Sequence, residues 1–228
     1  MIVLSYPKSG RTWFLHMIST YMESYFANKD FTERGKSLIN SVSMKQKNWV
    51  IGYHNIDIHN LERLKQTYQK KIIYLVRDPR DCMTSFYFYD IYHKNKIGKR
   101  YFRLLRNNLF KKQFITKHLN NWSRHVETYI HFSDHIIRYE DLLTDTFGTI
   151  ESLFDSVNKE KLKEAIHAFH FEKITERKPG QEEKSAFARK GVQGDWKNHF
   201  NDQKTKAIMY PIISDKLIQF NYEKNKNW

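Results

Sequence analysis

Three short segments hold residue types that could handle an anion. In Pro7-Lys8-Ser9-Gly10-Arg11-Thr12-Trp13, two cations, two hydroxyls and a glycine sit where the apolar run Ile2 to Tyr6 gives way to a helical pattern. A turn feeding a helix N-terminus offers an oxyanion its backbone N–H groups and the positive end of the helix dipole; Gly10 permits close approach and Lys8 adds a full charge. The loop is not a Walker A sequence, because no glycine lies five residues before the lysine and none is adjacent to it. In the second segment, Arg77-Asp78-Pro79-Arg80-Asp81 follows the apolar run Ile72 to Val76, with Thr84-Ser85 one or two turns into the next helix. The planar fork of Arg77 can chelate a phosphate while Ser85 donates a hydroxyl, although the residues alone also describe a salt-bridged turn. The third, Arg189-Lys190-Gly191 with Gly194-Asp195-Trp196-Lys197, reads by itself as a surface loop.

Other chemistries find less support. Cys82 is the sole cysteine, so no intrachain disulfide and no thiolate zinc cluster can form, which suits a reducing compartment. Among eleven histidines, the pairs His131/His135 and His167/His170 lack further ligands in a metal-binding pattern, so no metal is expected. Thirty-nine Lys and Arg against 25 Asp and Glu give a net charge of +14. That surplus suits nucleic acid, an acidic membrane face, a polyanionic substrate or a phosphate-rich cofactor, and charge alone does not choose among them.

These segments need elements to hold them. Ile2 to Tyr6 reads as a buried strand, and the stripes Trp13, Met17, Tyr21 and Phe14, Ile18, Met22, Tyr25 as the helix after it. The same strand-then-helix order recurs at Trp49 to Tyr53, at Ile72 to Val76 before a helix from about Asp81, and at Ile136 to Tyr139. Short apolar strands alternating with helices predict an α/β fold: a central parallel sheet flanked by helices in three layers, with sites at the carboxyl ends of the strands. At 228 residues, one domain over 1–228 is the expected organisation. Asn95 to Phe132 is helical and basic, with Lys96, Lys99, Arg100, Arg103, Arg106, Lys111, Lys112 and Lys117 among Phe and Leu. His170 to Phe200 reads as a long loop of the kind that serves as a lid, and Asp202 to Phe220 as a last helix. The opening apolar run is too short for a secretory signal or a membrane span, so a soluble, cytoplasmic protein is expected.

Taken together, the three segments resemble the cytosolic-type sulfotransferase family, which uses 3′-phosphoadenosine-5′-phosphosulfate (PAPS). Tyr6 to Trp13 is similar to that family's 5′-phosphosulfate loop, Arg77 to Ser85 to its 3′-phosphate segment, and Arg189 to Asn198 to its RKG-x-x-GDWKN signature. The resemblance implies a P-loop-NTPase-like sulfotransferase fold and transfer of a sulfuryl group from PAPS to an acceptor hydroxyl or amine, leaving adenosine 3′,5′-bisphosphate (PAP). It further implies that Lys8 touches the sulfuryl-bridging oxygen, that Ser9, Gly10, Arg11 and Thr12 cradle the 5′-phosphate, and that Trp13 stacks on adenine. Arg77 and Ser85 would hold the 3′-phosphate, with Arg189, Lys190 and Gly191 closing over it. Tyr139 and Phe171 would lie on the adenine side, and His54 would be the general base. Tyr53 and Tyr89 would face the acceptor, for which the basic stretch suggests an acidic saccharide.

There are three departures from the family pattern. Arg11 replaces a threonine of the phosphosulfate loop, and Gly52 replaces a lysine usually found two residues before the catalytic histidine. Asn201, Asp202 and Lys206 do not fit the dimer motif of the animal enzymes, which leaves the oligomeric state open. Two other readings stand beside this one: a nucleotide or small-molecule kinase on a related core, against which the missing Walker A pair speaks, and a basic nucleic-acid-binding domain, for which no motif is visible.

Overall fold

In a computed structural model, which describes residues 1–29, 48–93 and 108–228, Ile2–Leu4 (β1), Tyr25–Lys29 (β2), Trp49–Tyr53 (β3), Ile72–Val76 (β4) and His135–Arg138 (β5) form one parallel sheet. Its strand order is β2-β3-β1-β4-β5, with Val3 opposite both Gly52 and Ile73. From β1 the chain goes first to the edge strand β2, fills the gap with β3, and then crosses to the other side of β1 to add β4 and β5. In open parallel sheets such a reversal marks the carboxyl ends of the central strands as the place for a site, and Ser5 and His54 directly follow β1 and β3 there. The expected parallel α/β architecture is the one present.

Contacts gather into two compact units, Met1–Val76 with Tyr129–Ile174 and Arg77–Thr128 with Thr175–Trp228. The first holds the sheet, helices α1 (Arg11–Tyr21) and α2 (Ile58–Tyr68), and the short helices α5 (Tyr139–Thr144), α6 (Thr146–Glu151), α7 (Lys159–Ala168) and α8 (Phe171–Thr175), the last ending one residue into the second unit. The second holds α3 (Pro79–His93), α4 (Asn108–Tyr129, whose last residue belongs to the first unit), a 3₁₀ turn at Asp195–Asn198, and α9 (Gln203–Gln219).

Alternation along the strands explains the core of the first unit. Val3, Val50, Ile73, Leu75 and Ile137 face a cluster with Phe14, Leu15, Met17 and Ile18 of α1, Leu142 of α5, Ile150 of α6 and Leu162 of α7. The alternate residues Ile2, Leu4, Ile51, Ile72, Tyr74 and Val76 are equally buried, so both sheet faces are covered, as the near-continuous apolar strands require. Helix starts follow their caps: Asp57, Asn158 and Asp202 each accept a backbone N–H three residues on.

The first helix is shorter than its apolar stripe. Ser24 N–H donates to Ser19 O and Glu23 N–H to Thr20 O, with Glu23 at φ 46°, a Schellman closure that ends α1 at Tyr21. Tyr25, which the stripe assigns to the helix, instead opens β2. The predicted strand Ile136–Tyr139 is shifted by one, and Tyr139 is the first residue of α5. Of the basic stretch, residues 94–107, with Lys96, Lys99, Arg100, Arg103 and Arg106, lie outside the described residues. Lys112 and Lys117 are exposed on α4, whose other side buries Phe114, Ile115, Leu119 and Trp122, and Lys111 pairs with Asp202 at 2.8 Å.

In the second unit, Pro79 takes the first helical position of α3, where a missing N–H costs nothing. Asp78 precedes it and accepts the Arg80 backbone N–H at 2.9 Å. Arg80 is only 2% exposed. Its guanidinium donates to both Asp78 oxygens and to Glu223, and its Cζ lies 4.1 Å from the Trp196 ring centroid and 4.8 Å from that of Trp228.

Candidate active site

The first unit carries the loop after β1. Ser5 N–H extends the pairing with β3 by donating to Tyr53 O at 3.2 Å. The backbone then takes a form that L-residues avoid: Lys8 has φ 71° and Gly10 φ 86°, with Ser9 between them on the negative side. Alternation of this kind turns successive N–H groups toward one point, a nest suited to an oxyanion. Lys8 in the left-handed region costs on the order of 1 kcal/mol, a strain that collects where a ligand uses it. No side chain caps α1 at Gly10, and the helix N-terminus points the positive end of its dipole at the same place.

Tyr139 forms the floor of the loop. A Cβ on Gly10 would stand 2.5 Å from its ring, and the ring meets Trp13 edge-on at 6.1 Å. Trp13 is fixed in turn by donating its indole N–H to Phe169 O at 2.7 Å, while Phe169 stacks on His16 at 5.1 Å. Phe171 begins α8, two residues beyond Phe169, and is half-buried.

His54 follows β3 directly, and its Nδ1 lies 2.8 Å from Ser5 O. A carbonyl oxygen only accepts, so Nδ1 carries the hydrogen, and in the neutral ring Nε2 is then the basic nitrogen. The segment after it is braced by the Tyr129 hydroxyl, which donates to Ile56 O and accepts from Ile56 N. Tyr53 is buried, which pushes its phenol up to about 12 and keeps it a neutral group.

The second unit brings the other two segments together. Arg77 Nη2 donates to Val192 O at 3.4 Å, inside the Arg189–Asn198 stretch. The Asp81 carboxylate accepts Gly194 N–H at 2.6 Å and Trp196 N–H at 2.9 Å. Burial pushes the Asp81 carboxyl up, against the pull of Arg77 and of those two N–H groups. Arg189 bonds to Glu182 and Asp195 and lies over the Phe88 ring at 4.1 Å. Lys190 reaches Asp195 at 2.6 Å. Burial alone would raise the Asp195 carboxyl, but His199, Lys190, Arg189 and Asn198 outweigh it and hold it far below the carboxylate range. Gly191 takes φ 65°, and Ser85 and Tyr89 are half-buried on α3.

The family model for the sulfotransferase domain matches residues 1–212. The chain belongs to that family. Mouse sulfotransferase 2A6 is 25% identical to this sulfotransferase over 96% of the chain and 85% of its own length. Human sulfotransferase 2A1 is 28% identical over 88% and 78%. Among solved structures, mouse sulfotransferase SULT7A1 complexed with PAP matches with a TM-score of 0.69 at 20% identity, over 95% of this chain and 83% of that one. Retinol dehydratase, in complex with androsterone and PAP, matches at 0.55 and 17%, over 98% and 80%. The fold and the sulfuryl-transfer chemistry therefore stand, and with them PAPS, the donor this family uses. The kinase reading falls away.

Two features of this sulfotransferase escape a reading of motifs. Arg177 stitches the long loop by donating to Gln181 O, Ala188 O and Arg189 O, so the expected lid segment is tied down internally. Phe169 orients Trp13 through a backbone oxygen, which no side-chain pattern encodes. Asp202, one of the residues that departs from the animal dimer motif, caps α9 by accepting from Thr205. Among the described residues, no group of three His, Cys, Asp or Glu could hold a metal ion, and no helix is long and apolar enough to cross a membrane.

Gly10 gives a direct test of the first-unit loop. Gly10→Ala forces both a positive φ on alanine and a clash with the Tyr139 ring. The expected outcome is a loss of PAP affinity of at least about tenfold at a stability cost of roughly 1–3 kcal/mol, read by calorimetric titration and thermal melting. Unchanged PAP affinity would remove the loop from the site.

Proposed function

We propose that the chain transfers the sulfuryl group of PAPS to a hydroxyl or amine of an acceptor, with His54 as general base. One observation carries the assignment of the base: the Ser5 carbonyl holds the His54 ring through Nδ1, which makes Nε2 the nitrogen able to take a proton, directly after the strand that pairs with β1. PAPS supplies an activated sulfuryl group whose departure leaves PAP. Lys8 and the N–H groups of Ser9, Gly10, Arg11 and Thr12 hold the 5′ side and stabilise charge developing on the bridging oxygen. Trp13, Tyr139 and Phe171 border the adenine, Tyr139 chiefly as the support beneath Gly10. Arg77, Ser85, Arg189, Lys190 and Gly191, all in the second unit, hold the 3′-phosphate. As the acceptor oxygen attacks sulfur in line with the departing oxygen, its proton passes to His54 Nε2.

Tyr53 and Tyr89 are proposed to border the acceptor. A hydroxyl compound is the acceptor class favoured here; one relative, from guinea pig, is named a 3-beta-hydroxysteroid sulfotransferase. Acidic saccharides remain the class to which exposed cations such as Lys112 and Lys117 would respond.

Thermal shift and transfer assays test the reading together. PAP at a hundredfold excess over its Kd should stabilise the protein by about 2.7 kcal/mol, and by more than 3′-AMP or 5′-AMP at equal concentration, because only PAP engages both phosphate sites. Magnesium ATP and random oligonucleotide should give no comparable shift. Label from PAPS should appear on members of a panel of hydroxysteroids, phenols, amines and acidic glycans. Equal shifts from PAP and the two monophosphates would refute a single bisphosphate site, and rising salt should depress transfer to glycans alone if the basic helix recruits them.

A further inference from the structure

Arg11 is 4% exposed, at the first position of α1, and Leu15 follows one turn later on the same helix face. Both side chains press onto β3 at Gly52: a Cβ built there would stand 2.5 Å from Leu15 Cδ1, 2.9 Å from Arg11 Cδ and 3.1 Å from Arg11 Nε. The stem of Arg11 thus runs through the space that any side chain at 52 would fill. Strand alternation puts Gly52 on the same face as Val50, and β3 ends at Tyr53, directly before His54. Gly52 lies opposite Val3 of β1, and His54 is tied to Ser5 of the segment that leads into the anion loop.

We infer that Arg11 has two separable duties: its backbone belongs to the phosphate nest, while its side chain crosses Gly52 to stand as a second fixed cation beside the group being transferred, on the His54 side. This rests on the sulfuryl-transfer reading above. Three observations support it. A permanently charged, five-donor fork buried at this place is matched to charge spread over several oxygens. The route of its stem is open because residue 52 has no Cβ, which accounts for a glycine inside an otherwise apolar strand, where glycine is unfavourable. And the stem leads from the start of α1 toward β3, the strand that His54 directly follows. Arg11 is therefore a catalytic residue of the transfer step, and Gly52 a positioning residue acting through it.

A double-mutant cycle reads both claims. For the parent, Arg11→Ala, Gly52→Ala and the double variant, kcat for transfer from PAPS, KM and the Kd of PAP are measured, with melting curves alongside. Arg11→Ala should lower kcat on the order of 10²-fold, the scale of one lost oxyanion donor, with the PAP Kd rising less than about fivefold, since PAP lacks the sulfuryl group. Gly52→Ala should lower kcat about tenfold in the parent but no more than about twofold in the Arg11→Ala background, where its methyl still meets Leu15 Cδ1 but displaces no cation. Equal factors for Gly52→Ala in both backgrounds would overturn the pairing, and an unchanged kcat for Arg11→Ala, or a loss carried wholly by PAP affinity, would overturn the catalytic duty. Should Arg11→Ala not fold, Arg11→Lys, which keeps charge and stem, takes its place in the cycle; the double variant should then fall short of the product of the single effects, and a full product overturns the pairing. A parent chain that binds PAP yet transfers no label to any acceptor would sink the sulfuryl-transfer reading itself; parent transfer with either overturning pattern sinks only this inference.

Discussion

His54→Ala lowers kcat by about 10²–10⁴-fold, the usual worth of a positioned general base, and leaves the Kd of PAP within a few-fold of the parent value. The separation follows from where the ring is held. Its ring is tethered to the Ser5 carbonyl, and the groups proposed to bind the anion come from the loop beyond Ser5, so truncating the ring removes the proton acceptor without opening the nest. His54→Gln sharpens the point, since an amide can keep a hydrogen bond to Ser5 O yet cannot take a proton. It should be as inactive as alanine. Single-turnover transfer and PAP titration on the same preparations provide the measurement; turnover within a few-fold of the parent for both variants would remove His54 from the proton path.

Arg80→Met destabilises the protein by about 3–5 kcal/mol, the cost of breaking a buried pair by removing one partner. Arg80 is 2% exposed and Asp78 6% exposed, so deletion leaves a buried carboxylate without its guanidinium. Burial works against the charge of Arg80, yet Asp78 and Glu223 prevail and raise its pKa further. The guanidinium also lies against the Trp196 and Trp228 rings, and such stacked cations add about 0.5–2 kcal/mol apiece. Arg80→Lys keeps the charge but loses the fork and the plane, so it should recover less than half of the loss. Chemical denaturation checks both, with a drop in Tm of roughly 10 °C expected for Arg80→Met; a loss under about 1 kcal/mol would mean that the carboxylates find other partners.

Much of this was legible beforehand where local chemistry and tertiary need coincide. Trp49–Tyr53 and Ile72–Val76 appear as strands over the predicted residues, because a central parallel strand is buried on both faces and its sequence must be continuously apolar. The nest at Lys8–Gly10 follows from glycine and from the turn between strand and helix. Tyr25 was illegible: its apolar spacing fits α1, and the closure that ends the helix places glutamate, an unusual choice, at the left-handed position. Arg177 and Phe169 act through backbone oxygens, and a carbonyl has no letter in a sequence. The route of Arg11 over Gly52 was visible only as two unrelated substitutions against a family pattern. Position in space turns them into neighbours.

The carboxylate of Asp195 already occupies the two basic residues proposed to grasp the 3′-phosphate, Arg189 and Lys190. On that proposal, nucleotide capture at that end is an exchange of counterions, in which the incoming phosphate competes with a resident anion tethered to the same loop. Its grip would then be weaker than the charges alone would give, and a departing bisphosphate would leave behind cations that have somewhere to go.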